Sequence, residues 1–151
     1  MREARGEDGM THAKMSVAEL EQFLRAEFPQ SFGSGDTRID MADGETCRLR
    51  QRYSDQMLRP GGTISGPTLM ALADCAMYVV LLSAIGPVAL AVTTNLSINF
   101  LRKGVPGHDV IAEARLLKLG KRLAVGEVML FSASSPDPIA HVTATYSIPN
   151  T

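Results

Sequence analysis

An α+β fold, an antiparallel sheet wrapped around one long helix, is predicted by three features of the chain. A run from about 67 to 84 has helical length and apolar residues on nearly every side, so it should be buried on most of them. Beyond it come segments of strand character, separated by turns rich in glycine, proline and serine. The turns are short, which makes the last three strands antiparallel neighbours. Strands, one buried helix and then more strands is the order in which a sheet closes over a helix.

The elements follow in order. Residues 1–15 mix charges with two glycines and no apolar period, and read as a disordered leader ahead of a single domain over 16–151. Ser16 to Glu19 fits a capping box. Leu20, Phe23, Leu24 and Phe28 recur at helical spacing, and Pro29 ends this extra N-terminal helix. Segments 37–41 and 46–53 read as strands joined at Asp43-Gly44; in the second, Cys47 and Leu49 alternate with Arg48, Arg50 and Arg52. A stretch of glycine, proline and small polar residues fills 57–68. Pro67 suits position N1 of the long helix, and Gly86-Pro87 suits its stop. Four strands follow, at about 88–101, 109–119, 122–132 and 139–148.

At 151 residues one domain is expected, and a net charge of −1 supplies no field for nucleic acid or an anionic membrane. The two cysteines, Cys47 and Cys75, share no metal-ligand spacing and read as free buried thiols of a reducing cytoplasm; no metal is expected. No secretory h-region is visible near the N-terminus, and Asp74 within the longest apolar run argues against a membrane span. A cytoplasmic protein is expected.

Asp74 is out of place in that run. Burying an unpaired carboxylate costs several kcal/mol, so such groups find a partner or stay protonated. The helix supplies no cation: Met70, Met77 and Tyr78 are the neighbours along its face. The plain reading is a partner from elsewhere, and Arg59, Lys103 and Arg122 are candidates; the sharper one is a functional carboxylate. A second clue is Gly61-Gly62-Thr63-Ile64-Ser65-Gly66, which leads directly into the helix. A helix N-terminus offers unpaired N–H groups to an oxyanion, and Gly66 would let a carbonyl approach closely. Glycines that only shape a tight turn are the commoner case.

These clues combine under one geometric condition. Eight residues of helix put Asp74 about 12 Å along the axis from Gly66, too far for both to touch one carbon. If both act on one carbonyl, they come from two subunits whose long helices lie side by side and antiparallel. Thioester hydrolysis uses such a pair: a carboxylate to attack or to activate water, and an N–H donor for the oxyanion.

The run Ser65-Gly66-Pro67-Thr68-Leu69-Met70-Ala71-Leu72-Ala73-Asp74 resembles the His-Gly-Gly-x-x-x-x-Leu-x-Asp helix start of the hotdog-fold thioesterases of the phenylacetate-degradation (PaaI) type. The strand over 94–101 and the turn Gly120-Lys121-Arg122 are similar to later segments of that family, and the likeness spans about 38–148. The resemblance implies a hotdog fold and an acyl-CoA thioesterase acting on aryl- or medium-chain thioesters without a cofactor. It implies a homodimer, with a dimer of dimers as a further assembly left open. Asp74 is then the nucleophile or general base, and the Gly66 amide polarises the thioester oxygen from the other subunit. Thr93 holds the attacking water or steadies Asp74, and Lys121 and Arg122 lie where the CoA phosphates bind.

This chain departs from the pattern. Ser65 stands at the family's histidine, Pro67 at its second glycine and Arg59 at a common asparagine. Pro67 has no N–H, so the oxyanion donor is Gly66, with the Thr68 amide as the one other choice. Arg59 could bind a substrate carboxylate or phosphate, or neutralise Asp74 and leave a non-catalytic domain that binds acyl-CoA or lipid. Met70 and Met77 read as core filler or as the lining of an acyl pocket. Lys103, beside Arg102, reads as a solvated turn or a phosphate contact. His12, His108 and His141 have no base geometry around them, and Cys75 lies about 100° around the helix from Asp74, which suits packing.

Overall fold

The computed structural model describes residues 13–150. Helix α1, Val17–Glu27, begins at a reciprocal cap: Ser16 Oγ accepts the Glu19 amide at 3.1 Å, and Glu19 Oε1 accepts the Ser16 amide at 2.8 Å. Leu20 and Leu24 are wholly buried. Pro29 ends α1 but also opens a single further turn, α2 (Pro29–Phe32), because a proline lacking N–H is harmless at a helix start. Most of the expected leader lies outside the described residues. Its last part is packed: the Lys14 amide donates to the Ser83 carbonyl at 2.7 Å, and Met15 is buried.

Strands β1 (Thr37–Ala42) and β2 (Thr46–Gln51) form the expected hairpin. Asp43 Oδ1 accepts the amides of Glu45 and Thr46, and Gly44 turns at φ 87°. The stretch over 57–68 is more ordered than its composition suggests. A 3-10 turn, Asp55–Met57, precedes a small ribbon of β3 (Leu58–Arg59) and β4 (Thr63–Ile64). Positive φ at Gly61 and Gly62 closes that ribbon.

The long helix, α3, spans Gly66–Ile85. Ser65 is its N-cap, so Pro67 occupies N2, not the N1 position read from sequence. Strands β5 (Val92–Phe100), β6 (Val110–Leu119), β7 (Leu123–Ser132) and β8 (Pro138–Ser147) follow. β5 begins four residues later than expected, because 88–91 is a turn closed by the Ala91 amide on the Val88 carbonyl. The six long strands make one antiparallel sheet in the order β1-β2-β6-β7-β8-β5. Its outer face carries the arginines of β2, with Arg48 paired to Asp40 and Glu113, and Arg50 to Asp109 at 3.0 Å.

Helix α3 fills the inner face. By length and composition it would pass for a membrane span, yet 67% of its most apolar window is buried inside the fold. One stripe escapes. Pro67, Met70 and Ala71 are exposed and Asp74 is half-buried, at spacings i, i+3, i+4 and i+7. Helix and sheet pack closely at Gly126 of β7, where a Cβ would lie 2.5 Å from Met77 Sδ and 2.9 Å from the Arg115 carbonyl oxygen. Gly126→Ala should therefore destabilise the fold by about 1–3 kcal/mol through overpacking. Thermal denaturation should show this as a Tm lower by about 2–4 °C per kcal/mol. An unchanged Tm would mean that Met77 yields freely.

Candidate functional site

Among the described residues, Asp74 is met by hydroxyls and by no cation. Thr93 Oγ1 donates to Asp74 Oδ1 at 2.6 Å, and the Tyr146 hydroxyl donates to the same oxygen at 3.0 Å, with the Asp74 carbonyl at 3.2 Å. Strand register creates this pair of donors, since Thr93 on β5 lies directly opposite Tyr146 on β8. A bulge at Thr94 follows, where the pairing shifts between Thr93 and Asn95, and such a bulge re-aims the side chain beside it.

The other carboxylate oxygen, Oδ2, takes no hydrogen bond from a described residue. No buried side-chain oxygen or nitrogen among the described residues lacks a partner, so Oδ2 opens to solvent. Among the described residues, one oxygen is anchored and the other takes no donor. Asp74 makes no ion pair with a described residue, so the cationic partners considered from sequence do not serve. Arg59 is exposed on β3 and donates to the neighbouring Pro60 carbonyl at 3.3 Å. Arg122 and Lys103 are exposed in turns at opposite ends of the sheet.

The start of α3 leaves one amide over. Ser65 Oγ accepts the Thr68 amide at 3.2 Å and bonds the Thr68 hydroxyl at 2.8 Å, while the Ser65 carbonyl accepts the Leu69 amide. Pro67 has no N–H. Among the described residues the Gly66 amide alone in this first turn has no acceptor. The Thr68 amide, a second choice by sequence, is taken by the cap, and Ser65 is occupied as that cap. Glycine at 66 also has a packing reason: a Cβ there would lie 3.1 Å from the Phe100 ring.

Gly66 and Asp74 stand at separate points of one helix, about 12 Å apart along its axis, so no single chain brings them together. Met70 lies between them on the exposed stripe, 40% exposed. The Lys121–Arg122 turn enters β7 beside the Asp74 support: Ala124 pairs with Tyr146, Leu123 with Ser147, and the Arg122 carbonyl accepts the Ile148 amide at 2.8 Å. Lys103 follows the far end of β5, since Thr93 to Phe100 spans about 23 Å of strand.

Tyr146 was not visible as a site residue in the sequence. Its signal was faint, a lone aromatic on the inward positions Val142, Ala144 and Tyr146 of β8. Burial, then the nearby Asp74 carboxylate, pushes its hydroxyl well above the usual tyrosine range, so it stays a donor.

The comparisons agree with this architecture. The family model described as "Thioesterase superfamily" matches residues 61–139, from the glycine pair before α3 to the start of β8. The chain belongs to the thioesterase superfamily. A protein of Silicibacter sp. TM1040, provisionally described as a thioesterase, is 43% identical over 91% of this chain and 94% of its own, with a TM-score of 0.83. The E. coli PaaI protein of the phenylacetic acid degradation operon shares the hotdog fold at 22% identity, covering 86% of this chain and 90% of its own, with a TM-score of 0.67. A Streptococcus mutans protein solved with acetyl-CoA shares it at 21% identity, covering 76% and 90%, with a TM-score of 0.69. No curated protein matches the chain.

In this superfamily member Cys75 is no rival nucleophile. Burial pushes its thiol up to about 11, and the deeper Cys47, whose Sγ donates to the Ala76 carbonyl, is raised further. At pH 8 the Cys75 thiolate is therefore about one part in a thousand. Native protein should leave both thiols unreactive to Ellman's reagent, and urea should expose both. Rapid reaction of native protein would contradict this burial.

Proposed function

We propose that the chain is a dimeric acyl-CoA thioesterase in which Asp74 Oδ2 attacks the thioester carbonyl or activates water, while the partner subunit's Gly66 amide stabilises the oxyanion. The observation that carries this reading is the divided carboxylate, Oδ1 held by Thr93 and Tyr146 and Oδ2 left open. In this arrangement Thr93 steadies Asp74. Superfamily membership supports thioester chemistry, and the acetyl-CoA bound by the Streptococcus mutans relative supports a CoA thioester as substrate.

The edge of the sheet supports the dimer. β5 is an outermost strand of nine residues with nothing among the described residues paired to its outer side. Val92, Phe100 and Leu101 beside it are about half exposed. Such an edge takes a second strand readily. A twofold axis normal to the sheet near Leu96 would pair β5 with its copy and keep both helices on one side. Thr93 then lies against the partner subunit's Asn99 and Phe100, and Phe100 packs on Gly66 within each chain. Asp74 and the partner subunit's Gly66 converge on one point. The partner subunit's Lys103 is carried toward the same end as Lys121 and Arg122, giving cations for the CoA phosphates. Met70 and Ala71, on the stripe beside Asp74, would line the acyl pocket, which suits an aryl or medium-chain acyl group. A non-catalytic acyl-CoA binder is the second reading, and the loss of the family histidine and second glycine at Ser65 and Pro67 favours it.

Thiol release from a panel of aryl- and medium-chain acyl-CoA thioesters tests the first reading. Wild type should turn over, and Asp74→Asn should lose about 10²–10⁴-fold in kcat. Tight binding of the panel without turnover by either protein would favour the binder.

Subunit mixing tests the shared site. Gly66→Pro removes the N–H at a helix position that proline suits, with the half-exposed Phe100 ring giving way slightly. Asp74→Asn and Gly66→Pro homodimers should each be nearly inactive. Exchanged into mixed dimers they should regain about a quarter of wild-type activity, since half the dimers are mixed and each has one intact site. No recovery despite proven exchange would place both groups in one chain and refute the arrangement.

A further inference from the structure

Asp74 sits on a helix, yet both groups that hold it come from the sheet. The side chain of an aspartate turns about a broad, roughly twofold terminal torsion, so a single donor would leave the carboxylate free to swing about the anchored oxygen. Two donors from adjacent strands remove that freedom. Thr93 reaches Oδ1 from β5 and Tyr146 from β8. Tyr146 has the firmer footing of the two. It is 4% exposed and stacks on Tyr78, with ring centroids 6.0 Å apart and planes at 16°. Tyr78 is fixed in turn: its hydroxyl donates to the Ala89 carbonyl at 3.0 Å, and the Phe28 ring meets it edge-on at 6.2 Å. Phe28 closes the C-terminal end of α1 and contacts Phe32 of α2 at 6.3 Å. A continuous run of rings therefore links the N-terminal helices to the carboxylate.

We propose that Tyr146 is a positioning residue for Asp74, and that the run of rings Phe28–Tyr78–Tyr146 makes the N-terminal helical segment part of the support of the active site. The proposal rests on the thioesterase reading for its consequence in catalysis, not for the contact itself. Tyr146 touches no substrate atom in this scheme. It acts by holding Oδ1, so that Oδ2 is the oxygen presented to the thioester carbonyl. Burial and the adjacent carboxylate keep its hydroxyl protonated through the neutral range, so it never ceases to donate. Misplacement of a reacting group by about 1 Å can cost about 10²-fold in rate without altering ground-state binding.

The test combines kinetics with crystallography on the full chain. Tyr146→Phe keeps the ring and its stack and deletes only the donor. Its kcat should fall about 10- to 100-fold while KM stays within about twofold of wild type, because acyl and CoA contacts are untouched. In the Thr93→Val background the same change should cost less than it does alone, since both donors serve one oxygen. Phe28→Leu should lower kcat in the same sense by a smaller factor, again with KM preserved. The crystal structure of Tyr146→Phe should show the Asp74 carboxylate rotated or split between two orientations. A kcat within twofold of wild type, a parallel rise in KM, or an unmoved carboxylate would each overturn the proposal. A wild type inert toward every acyl-CoA would instead refute the thioesterase reading, and the carboxylate orientation in the Tyr146→Phe crystal would still decide the positioning role.

Discussion

The structure depends on the burial of a helix that is apolar on almost every side. Helix α3 has no polar face to give to water, so the sheet must curve over it and the N-terminal helices must cover what the sheet leaves. Its contact with β7 is close enough that a Cβ at 126 would force Met77 or the Arg115 backbone to shift. The stripe left uncovered, Pro67 to Asp74, is where the proposed site lies. An apolar stripe beside an unpaired strand edge asks for a second protein surface, and a half-buried carboxylate in that stripe asks for a reason to remain.

The reason lies in how the charge is solvated. A buried ion pair would satisfy Asp74 electrostatically but would occupy both oxygens and tie up the charge. Two hydroxyls on one oxygen replace part of the lost water and leave the other oxygen free. That asymmetry is a chemical instruction, since an anchored carboxylate with one open oxygen is suited to attack or to proton abstraction. The helix start shows the same economy of donors. The cap at Ser65 consumes the Thr68 amide, Pro67 brings none, and the Gly66 amide has no acceptor among the described residues.

Both halves of the proposed site are thus incomplete in one chain, and the incompleteness has a geometric origin. Helical rise sets Gly66 and Asp74 about 12 Å apart along the axis, and no side-chain rearrangement can shorten that distance. In the proposed dimer, antiparallel pairing of β5 with its copy would close the gap without moving either group, because Thr93 and Asn99 lie symmetrically about Leu96 at the middle of the strand. In that dimer, extension of the sheet, coverage of the apolar stripe and completion of the site would be one event.

The sequence by itself determined the order of elements, the burial of α3 and the oddity of Asp74, because these follow from periodicity, turn chemistry and the cost of an apolar surface or a lone charge, all local properties. The Ser16 capping box, the Asp43-Gly44 turn and the helix stop at Gly86 were legible for that reason. Resemblance added Thr93, the placing of Lys121 and Arg122 by the CoA phosphates and the expectation of a hotdog fold. Tertiary structure alone decided what meets Asp74. Arginine and lysine candidates could be named from composition, but Tyr146 lies 72 positions along the chain from Asp74 and arrives only through the register of β5 on β8. The structure likewise decided between Gly66 and Thr68 as the donor, since Ser65 proved to be the cap and took the Thr68 amide. Register and capping geometry depend on how distant segments pack, and no local pattern encodes that packing.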